Sequence, residues 1–324
     1  MPTRAGIISV HRGREVPGQP VPPISVLQKD IRDTLLYYDI WQYPLTGEEL
    51  FAFLPHNSIP LAEVRRRLRE QGPGEEVLHH EGFYFLKGRG KEVVYRRKAR
   101  EQHARMMWMM ARAAMHVIKR FPFVRGVCVS GDLSKNATGR NSDVDFFIIT
   151  SPHRLWIART LLILFKKIFL FDRKKFFCLN TFVTSDHPGL DERNIFLAAE
   201  IAHLKPLYNS GLFHEYLQAN AWIWEFFPNF DVGLLPGKKP SERPSLLQKV
   251  LEFPFALIPA DRLDTILLHA MKRVWARRYP EFDDATRDRL FRSTRHESRA
   301  YPNNYQDKIL ALYDEKLKAA RPTP

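Results

Sequence analysis

Hydrophobic and polar residues near the start of the chain alternate with the period of a helix. Residues 1–26 lack such a pattern and hold five prolines, which predicts a flexible tail. From Val26 onward apolar residues recur on one helical stripe: Leu27, Ile31, Leu35 and Tyr38. A second helix is predicted after Thr46, whose side chain is suited to cap it, and a third over residues 61–71.

The pattern then changes to the two-residue alternation of strands. Residues 77–79 and 83–86 flank a turn at Glu81-Gly82, so they predict a β-hairpin. Three helices followed by a hairpin resemble a winged helix-turn-helix, with residues 61–71 in the position of the recognition helix. We therefore predict a winged-helix-like domain over residues 27–90.

Beyond residue 90 the pattern predicts an α/β (α+β) fold followed by helices. The predicted elements are a long helix over 92–120, strands over 124–129, 144–150 and 176–184, and a helix over 153–170. After Asp191 the chain is predicted to be largely helical, apart from a Pro/Lys-rich loop at 236–244. These elements predict a small mixed-sheet core over 91–210 and a helical C-terminal region over 211–324.

Composition adds a charge excess to this picture. The 324 residues are 44% hydrophobic and 27% charged, which excludes a wholly disordered or collagen-like chain. Lys and Arg number 50 against 36 Asp and Glu, and this net charge of +14 favours a partner that carries phosphate. Residues 91–210 hold 21 basic and 10 acidic side chains, whereas residues 28–90 hold 8 and 10. The excess therefore lies in the predicted core, and the acidic balance around Arg65, Arg66, Arg67 and Arg69 weakens DNA binding without excluding it.

Cysteine usage and the longest apolar stretch indicate the cellular compartment of the protein. Cys128 and Cys178 are the two cysteines and each lies in an apolar run, which is typical of a protein of the reducing cytoplasm. Residues 155–171 are interrupted by Arg159, Lys166 and Lys167, so they predict a buried amphipathic helix and no membrane span. We expect a cytoplasmic protein with no membrane partner.

Polar segments flank the first two strands of the predicted core. Ser130-Gly131 ends the first strand, and Asp143-Val144-Asp145 opens the second. Alternate residues of a strand point to the same face, so the two carboxylates are expected to project together. Paired carboxylates at a strand end suit Mg²⁺ that bridges substrate phosphates, and Gly131 would let phosphate approach the backbone.

This spacing resembles the motif of the DNA polymerase β-like nucleotidyltransferase superfamily. The match runs through Gly131, the ten residues 133–142 and Asp143-Val144-Asp145-Phe146, within a resemblance that covers about residues 96–209. It implies transfer of a nucleoside monophosphate from a nucleoside triphosphate to a hydroxyl, with release of pyrophosphate and with two bound Mg²⁺ ions. The acceptor stays open among RNA, protein and a small molecule.

The resemblance also implies roles for individual residues. Asp143 and Asp145 are the expected catalytic metal ligands. The nucleotide-binding candidates are Ser130, Gly131, Asp132, Ser134, Lys135 and Ser142. Asp132 stands where the family usually has Ser or Gly, and its charge would repel phosphate unless the side chain caps the following helix. Basic residues within 272–299 are candidates for an opposite wall of the nucleotide site.

The third carboxylate of the family is a second departure. It normally lies on the next core strand, where this chain has Asn180, an amide that cannot act as a general base. Asp186, Glu192 and Glu200 are candidates for that role by proximity in sequence. Two alternatives stay open. Either the paired aspartates are ordinary turn acids, or the chain is a regulator with a weak or inactive site that acts through its winged helix on DNA or protein.

Overall fold

The structure is a computed structural model that describes residues 23–55, 59–171, 175–231, 242–301 and 303–320. The predicted tail up to residue 22 and positions 236–241 of the predicted loop lie outside these ranges. The helices of the described part are α1 (Ile24–Asp39), α2 (Gly47–Ala52), α3 (Leu61–Gln71), α4 (Glu92–Ile118), α5 (Gly131–Ser134), α6 (Leu155–Phe169), α7 (Ile195–His203), α8 (Ser210–Ala219), α9 (Ile223–Phe226), α10 (Leu246–Ala256), α11 (Ala260–Arg278), α12 (Asp284–Leu290) and α13 (Tyr305–Ala319). Its strands are β1 (Leu45–Thr46), β2 (Val77–His80), β3 (Phe83–Leu86), β4 (Val124–Ser130), β5 (Asp145–Thr150), β6 (Cys178–Thr184), β7 (Lys205–Tyr208) and β8 (Glu297–Arg299).

Helices α1 to α3 and strands β1 to β3 form an N-terminal unit. Its small sheet has the order β1-β3-β2, with antiparallel pairs. Thr46 caps α2 as predicted. Its side chain accepts a hydrogen bond from the backbone N–H of Glu49, and the Glu49 carboxylate accepts one from the N–H of Thr46. Helix α3 has the bounds that its apolar stripe predicts.

A five-stranded mixed sheet forms the centre of the molecule. Its order is β7-β4-β5-β6-β8, with β5 parallel to β6 and the other neighbours antiparallel. Strands β4, β5 and β6 match the three predicted strands to within two residues at each end. Strands β7 and β8 lie in the part of the chain predicted to be largely helical, because three or four residues give too short an alternation to identify a strand.

Helices cover both faces of the central sheet. Alternate residues of β5 point to opposite faces, so Phe147 and Ile149 pack with α7 and α8, whereas Phe146 and Ile148 pack with α4 and α6. Helices α1 and α2 of the N-terminal unit join the first of these clusters. The N-terminal unit and the central sheet therefore share one packed interior.

Helix α6 is the amphipathic helix predicted for residues 153–170. It buries Trp156 and Leu162 completely, whereas Ile168 and Phe169 near its end are exposed. Within the described ranges, no helix combines the length and the apolar content needed to cross a bilayer. The structure thus confirms a mixed α/β fold.

Candidate functional site

The end of β4 brings a glycine directly against a carboxylate. Ser130 pairs with Asp145 in the antiparallel register of β4 and β5, and Gly131 follows. Gly131 has a φ of +63°, and a Cβ atom at this position would lie 2.4 Å from Asp145 Oδ2. A side chain at residue 131 is therefore disfavoured both by the left-handed backbone and by the neighbouring carboxylate. The fold brings these three motif residues together.

Asp145 is half-buried and held by an amide from the next strand. The register of β5 against β6 shifts after Phe146, and Asn180 lies at this irregularity, where its Nδ2 donates to Asp145 Oδ1 at 2.8 Å. Burial raises the pKa of Asp145 to about 7, against an opposing hydrogen bond from Cys178. Near neutral pH this carboxyl group is therefore partly protonated, and a bound cation would displace the proton.

Three further acidic groups act on Asp145. The charges of Asp143, Asp132 and Glu200 each add to the effect of burial and raise its pKa. Asp143 is half-buried in the segment that enters β5. We call Asp132, Asp143, Asp145 and Glu200 the carboxylate cluster. Oxygen ligands with this much negative charge are suited to a hard divalent cation such as Mg²⁺.

Asp132 and Ser142 join the two ends of the motif loop, the segment over residues 131–142. Ser142 Oγ donates to Asp132 Oδ2 at 2.7 Å and accepts from the N–H of Gly139 at 2.9 Å. No side-chain hydrogen bond caps the N-terminus of α5, so the capping role suggested for Asp132 is not seen there. The charge of Asp132 instead adds to the carboxylate cluster.

Two serines of the motif lie around Gly131. Ser134 Oγ donates to the carbonyl oxygen of Gly131 at 2.8 Å, and Ser130 Oγ lies 3.5 Å from the carbonyl oxygen of Asp145. Ser134 is buried, whereas Ser130 is partly exposed. Ser130 is therefore the more accessible of the two hydroxyls for a ligand.

Lys135 has partners that its sequence position does not reveal. Its Nζ lies 2.6 Å from Glu200 Oε1 on α7, and its carbonyl oxygen accepts a hydrogen bond from the Tyr43 hydroxyl at 2.5 Å. Burial, the largest single effect, disfavours the ammonium form, but the charge and hydrogen bond of Glu200 together with the charges of Asp132 and Tyr305 outweigh it, so the pKa of Lys135 is raised. The amine keeps its charge next to the motif loop. Neither Glu200 nor Tyr43 is near Lys135 in sequence, so sequence reasoning missed both contacts.

The three acids considered as general bases lie in different places. Glu200 belongs to the carboxylate cluster. Asp186 follows β6 at the opposite end of that strand from Asn180. Glu192 accepts a hydrogen bond from Asn194 at 3.2 Å. The fold therefore brings only Glu200, among these three acids, to the predicted site.

The basic residues predicted to form an opposite wall of the nucleotide site lie in different places. Lys272 and Arg273 line a cleft of about 370 Å³ formed by α11, α12 and Phe291, and its lining includes no residue of the carboxylate cluster. Arg292 pairs with Asp191 at 2.9 Å, and Arg299 pairs with Glu297 at 2.5 Å. The structure does not bring this set of cations together with the motif in one pocket.

Comparisons of the chain with protein-family models, curated proteins and solved structures find no match.

Proposed function

We propose that the chain is a Mg²⁺-dependent nucleotidyltransferase of the DNA polymerase β-like type. An acceptor hydroxyl attacks the α-phosphate of a nucleoside triphosphate, the bond to the β-phosphate breaks, and pyrophosphate leaves. The hydroxyl loses its proton to solvent. We propose that this reaction takes place in the cytoplasm, which agrees with two free cysteines.

The contact between Gly131 and Asp145 carries the proposal. A left-handed glycine, with bare backbone, lies beside a half-buried carboxylate whose pKa is raised to about 7. Like charge around a largely enclosed carboxylate reduces stability, and shifted pKa values of this kind are concentrated at functional sites. An ordinary turn acid needs no such surroundings, which supports the nucleotidyltransferase proposal over the reading of Asp143 and Asp145 as turn acids.

Carboxylate oxygens such as those of Asp143 and Asp145 are ligands that Mg²⁺ prefers. Asp143 and Asp145 would hold the metal, and Glu200 and Asp132 add negative charge around them. Bound Mg²⁺ would neutralise charge on the triphosphate during transfer. Ser130 and the backbone at Gly131 would contact the phosphates, and Lys135 would face them while paired with Glu200.

Asn180 acts in this proposal as a positioning residue. Its amide orients the Asp145 carboxylate through the 2.8 Å hydrogen bond and takes no proton. We therefore expect slower turnover than in a site with three carboxylates.

We do not assign DNA as a partner of the N-terminal unit. Arg65 pairs with Glu48, and Arg66 pairs with both Glu63 and Glu70. Arg67 also pairs with Glu63. Since these acids compensate the arginine charge within the unit, little is left for phosphate contacts. The unit instead packs on the core through α1 and α2.

The test is label transfer by the purified full chain. The protein is incubated with Mg²⁺ and each of the four α-labelled nucleoside triphosphates, together with RNA, a mixture of polyols, or no added acceptor so that self-labelling is detected. We expect pyrophosphate release and transfer of label, with activity reduced at least 100-fold in Asp143→Asn and in Asp145→Asn. Asp314→Asn on α13 is the matched control, because its carboxylate is exposed and pairs only along its own helix with Lys318.

Two results would overturn the proposal. One is transfer that survives in both site variants. The other is a wild-type chain that shows neither turnover nor Mg²⁺-dependent binding of any of the four triphosphates; this second result would favour the regulator.

A further inference from the structure

Three potential metal ligands meet at the end of β6 remote from the carboxylate cluster. Asp186 and His187 follow this strand, and His296 precedes β8. One ligand atom of each residue lies within 4.8 Å of those of the other two. Asn180 and Thr184, the last residue of β6, are four residues apart, so about 13 Å of strand separates Asn180 from this end.

Their contacts favour metal binding by nitrogen and oxygen together. The rings of His187 and His296 lie 3.8 Å apart, and His187 Nδ1 lies 3.3 Å from Asp186 Oδ2. His296 Nδ1 lies 3.2 Å from the hydroxyl of Thr184, the last residue of β6. When Nδ1 donates to this hydroxyl, the lone pair of Nε2 is left for a metal, and the ring orientation is fixed.

A third imidazole lies at the edge of the group. His153 is in the turn before α6, with its ring centre 6.2 Å from that of His296 and a φ of +54°. This left-handed conformation is uncommon for non-glycine residues, although histidine adopts it more often than most. His153 therefore lies beside the group of three ligands but outside the 4.8 Å separation that joins them.

We propose that Asp186, His187 and His296 bind a divalent transition-metal ion of the Zn²⁺ class, with His153 as the fourth ligand. Imidazole and carboxylate ligands suit Zn²⁺ and its neighbours, whereas Mg²⁺ prefers oxygen alone. The ion joins the segment after β6 to the segment that leads into β8. The ion therefore attaches β8, which is remote from β6 in sequence, to the central sheet.

Binding of the ion requires the ligand atoms to move slightly closer together. Ligand atoms of a tetrahedral Zn²⁺ site lie about 3.3 Å apart, given bonds of about 2.0 Å. The separations of up to 4.8 Å among the ligand atoms of Asp186, His187 and His296 therefore close by about 1.5 Å when the ion binds, and His153, which lies outside this group, moves further. Asp186 and His187 are exposed, so rotation of their side chains supplies this movement without repacking the core.

The test uses the full chain without an added histidine tag, treated with chelator and then titrated with Zn²⁺. We expect one ion bound per chain by calorimetry, and a higher melting temperature with Zn²⁺ because the ion binds only the folded site. Substitution of Co²⁺ should give the visible bands of a tetrahedral nitrogen and oxygen site.

Single variants locate the ligands. His187→Ala, which removes an exposed side chain and leaves the core packing intact, and His296→Ala should each weaken Zn²⁺ binding at least tenfold and remove the rise in melting temperature. Thr184→Val should weaken it by about tenfold to 100-fold, through loss of the bond that orients His296. His116→Ala on α4 is the control, because this histidine is exposed and remote in sequence from the ligands. It should bind as the wild type does.

Three results would overturn this assignment: no stoichiometric binding of Zn²⁺, unchanged affinity in both His187→Ala and His296→Ala, or loss of Zn²⁺ binding in Asp143→Asn with Asp145→Asn. The last result would place the ion in the carboxylate cluster. Zn²⁺ binding does not depend on nucleotide transfer, so this proposal and the proposed function fail separately.

Discussion

Asp145 opposes folding at the pH where the site is proposed to work. Its pKa is about 7 in the folded chain against 3.8 in the unfolded chain, chiefly because burial disfavours the charged carboxylate. The folded state therefore holds the proton more tightly. The contribution to stability is present below about pH 4 and is lost as the pH rises through 7.

Asp145→Asn should consequently stabilise the chain at pH 8. Three pKa units correspond to at most about 4 kcal/mol in the free energy of unfolding, and the gain should be much smaller at pH 5, where Asp145 is already protonated. Urea unfolding with chelator present measures both values, with Asp314→Asn as the control. An equal change at the two pH values would show that Asp145 does not titrate in this range.

At the scale of elements, the junction of β4 and α5 depends on Gly131. An alanine there meets two obstacles, the φ of +63° and a carboxylate oxygen 2.4 Å from its Cβ. Gly82, in the turn between β2 and β3, has a φ of +84° and nothing within 4 Å of a Cβ. Alanine variants at Gly82 and Gly131 therefore separate the cost of backbone strain from the cost of the close contact with Asp145.

Gly82→Ala should lower the free energy of unfolding by about 1–2 kcal/mol, the usual cost of a left-handed non-glycine residue. Gly131→Ala should lower it by more, because Asp145 must also rotate away from Asn180. Urea unfolding of the two variants provides the comparison. Equal losses would mean that the carboxylate moves freely and is not held by Asn180.

Local signals predicted the elements that depend on local interactions. Three predicted features depend on residues that are close together in sequence, and the structure confirms them: the Thr46 cap, the apolar stripe of α3 and the β2-β3 hairpin. Strands β7 and β8 escaped prediction because their pairing energy comes from partners far along the chain.

The candidate site likewise contains residues that the sequence predicted and contacts that it did not predict. The resemblance to the nucleotidyltransferase motif assigned Gly131 and Asp145 to one site, and it assigned Asn180 to the position of the family's third carboxylate. The link of Lys135 to Glu200 and Tyr43 was missed, because it arises where α7 and the N-terminal unit pack on the motif loop. No pattern within a single segment carries that information.

At the scale of the whole molecule, a buried histidine joins the N-terminal unit to the core. The Tyr38 hydroxyl lies 2.9 Å from His203 Nε2, and the ring of Phe53 packs 4.6 Å from the same imidazole. Burial, aided by the charge of Lys135, holds the pKa of His203 well below its ordinary value of 6.5. The imidazole stays neutral in the folded chain, so its contribution to stability is lost as the pH falls below 6.5.

The double variant Tyr38→Phe/His203→Phe should have a flatter pH profile of stability on the acid side. Between pH 6 and pH 5 the wild type should lose up to about 1.4 kcal/mol more than the double variant, one proton's worth per pH unit. Replacing both residues avoids leaving a buried hydroxyl without a partner. Thermal unfolding across this range measures the difference, and His116→Ala is the control. Parallel profiles would indicate that His203 is protonated in the folded chain.

The position of β8 bears on how the chain matures on the ribosome. Residues 181–183 of β6 pair with β8, and Tyr313 of α13 packs its ring 5.2 Å from that of Tyr37 in α1. Synthesis runs from the N-terminus, so β6 and α1 emerge long before the segments that cover them. The nascent chain meanwhile presents an open strand edge, which is prone to wrong pairing with other chains. Wrong pairing at this edge should therefore lower the yield of folded protein until β8 has been synthesised.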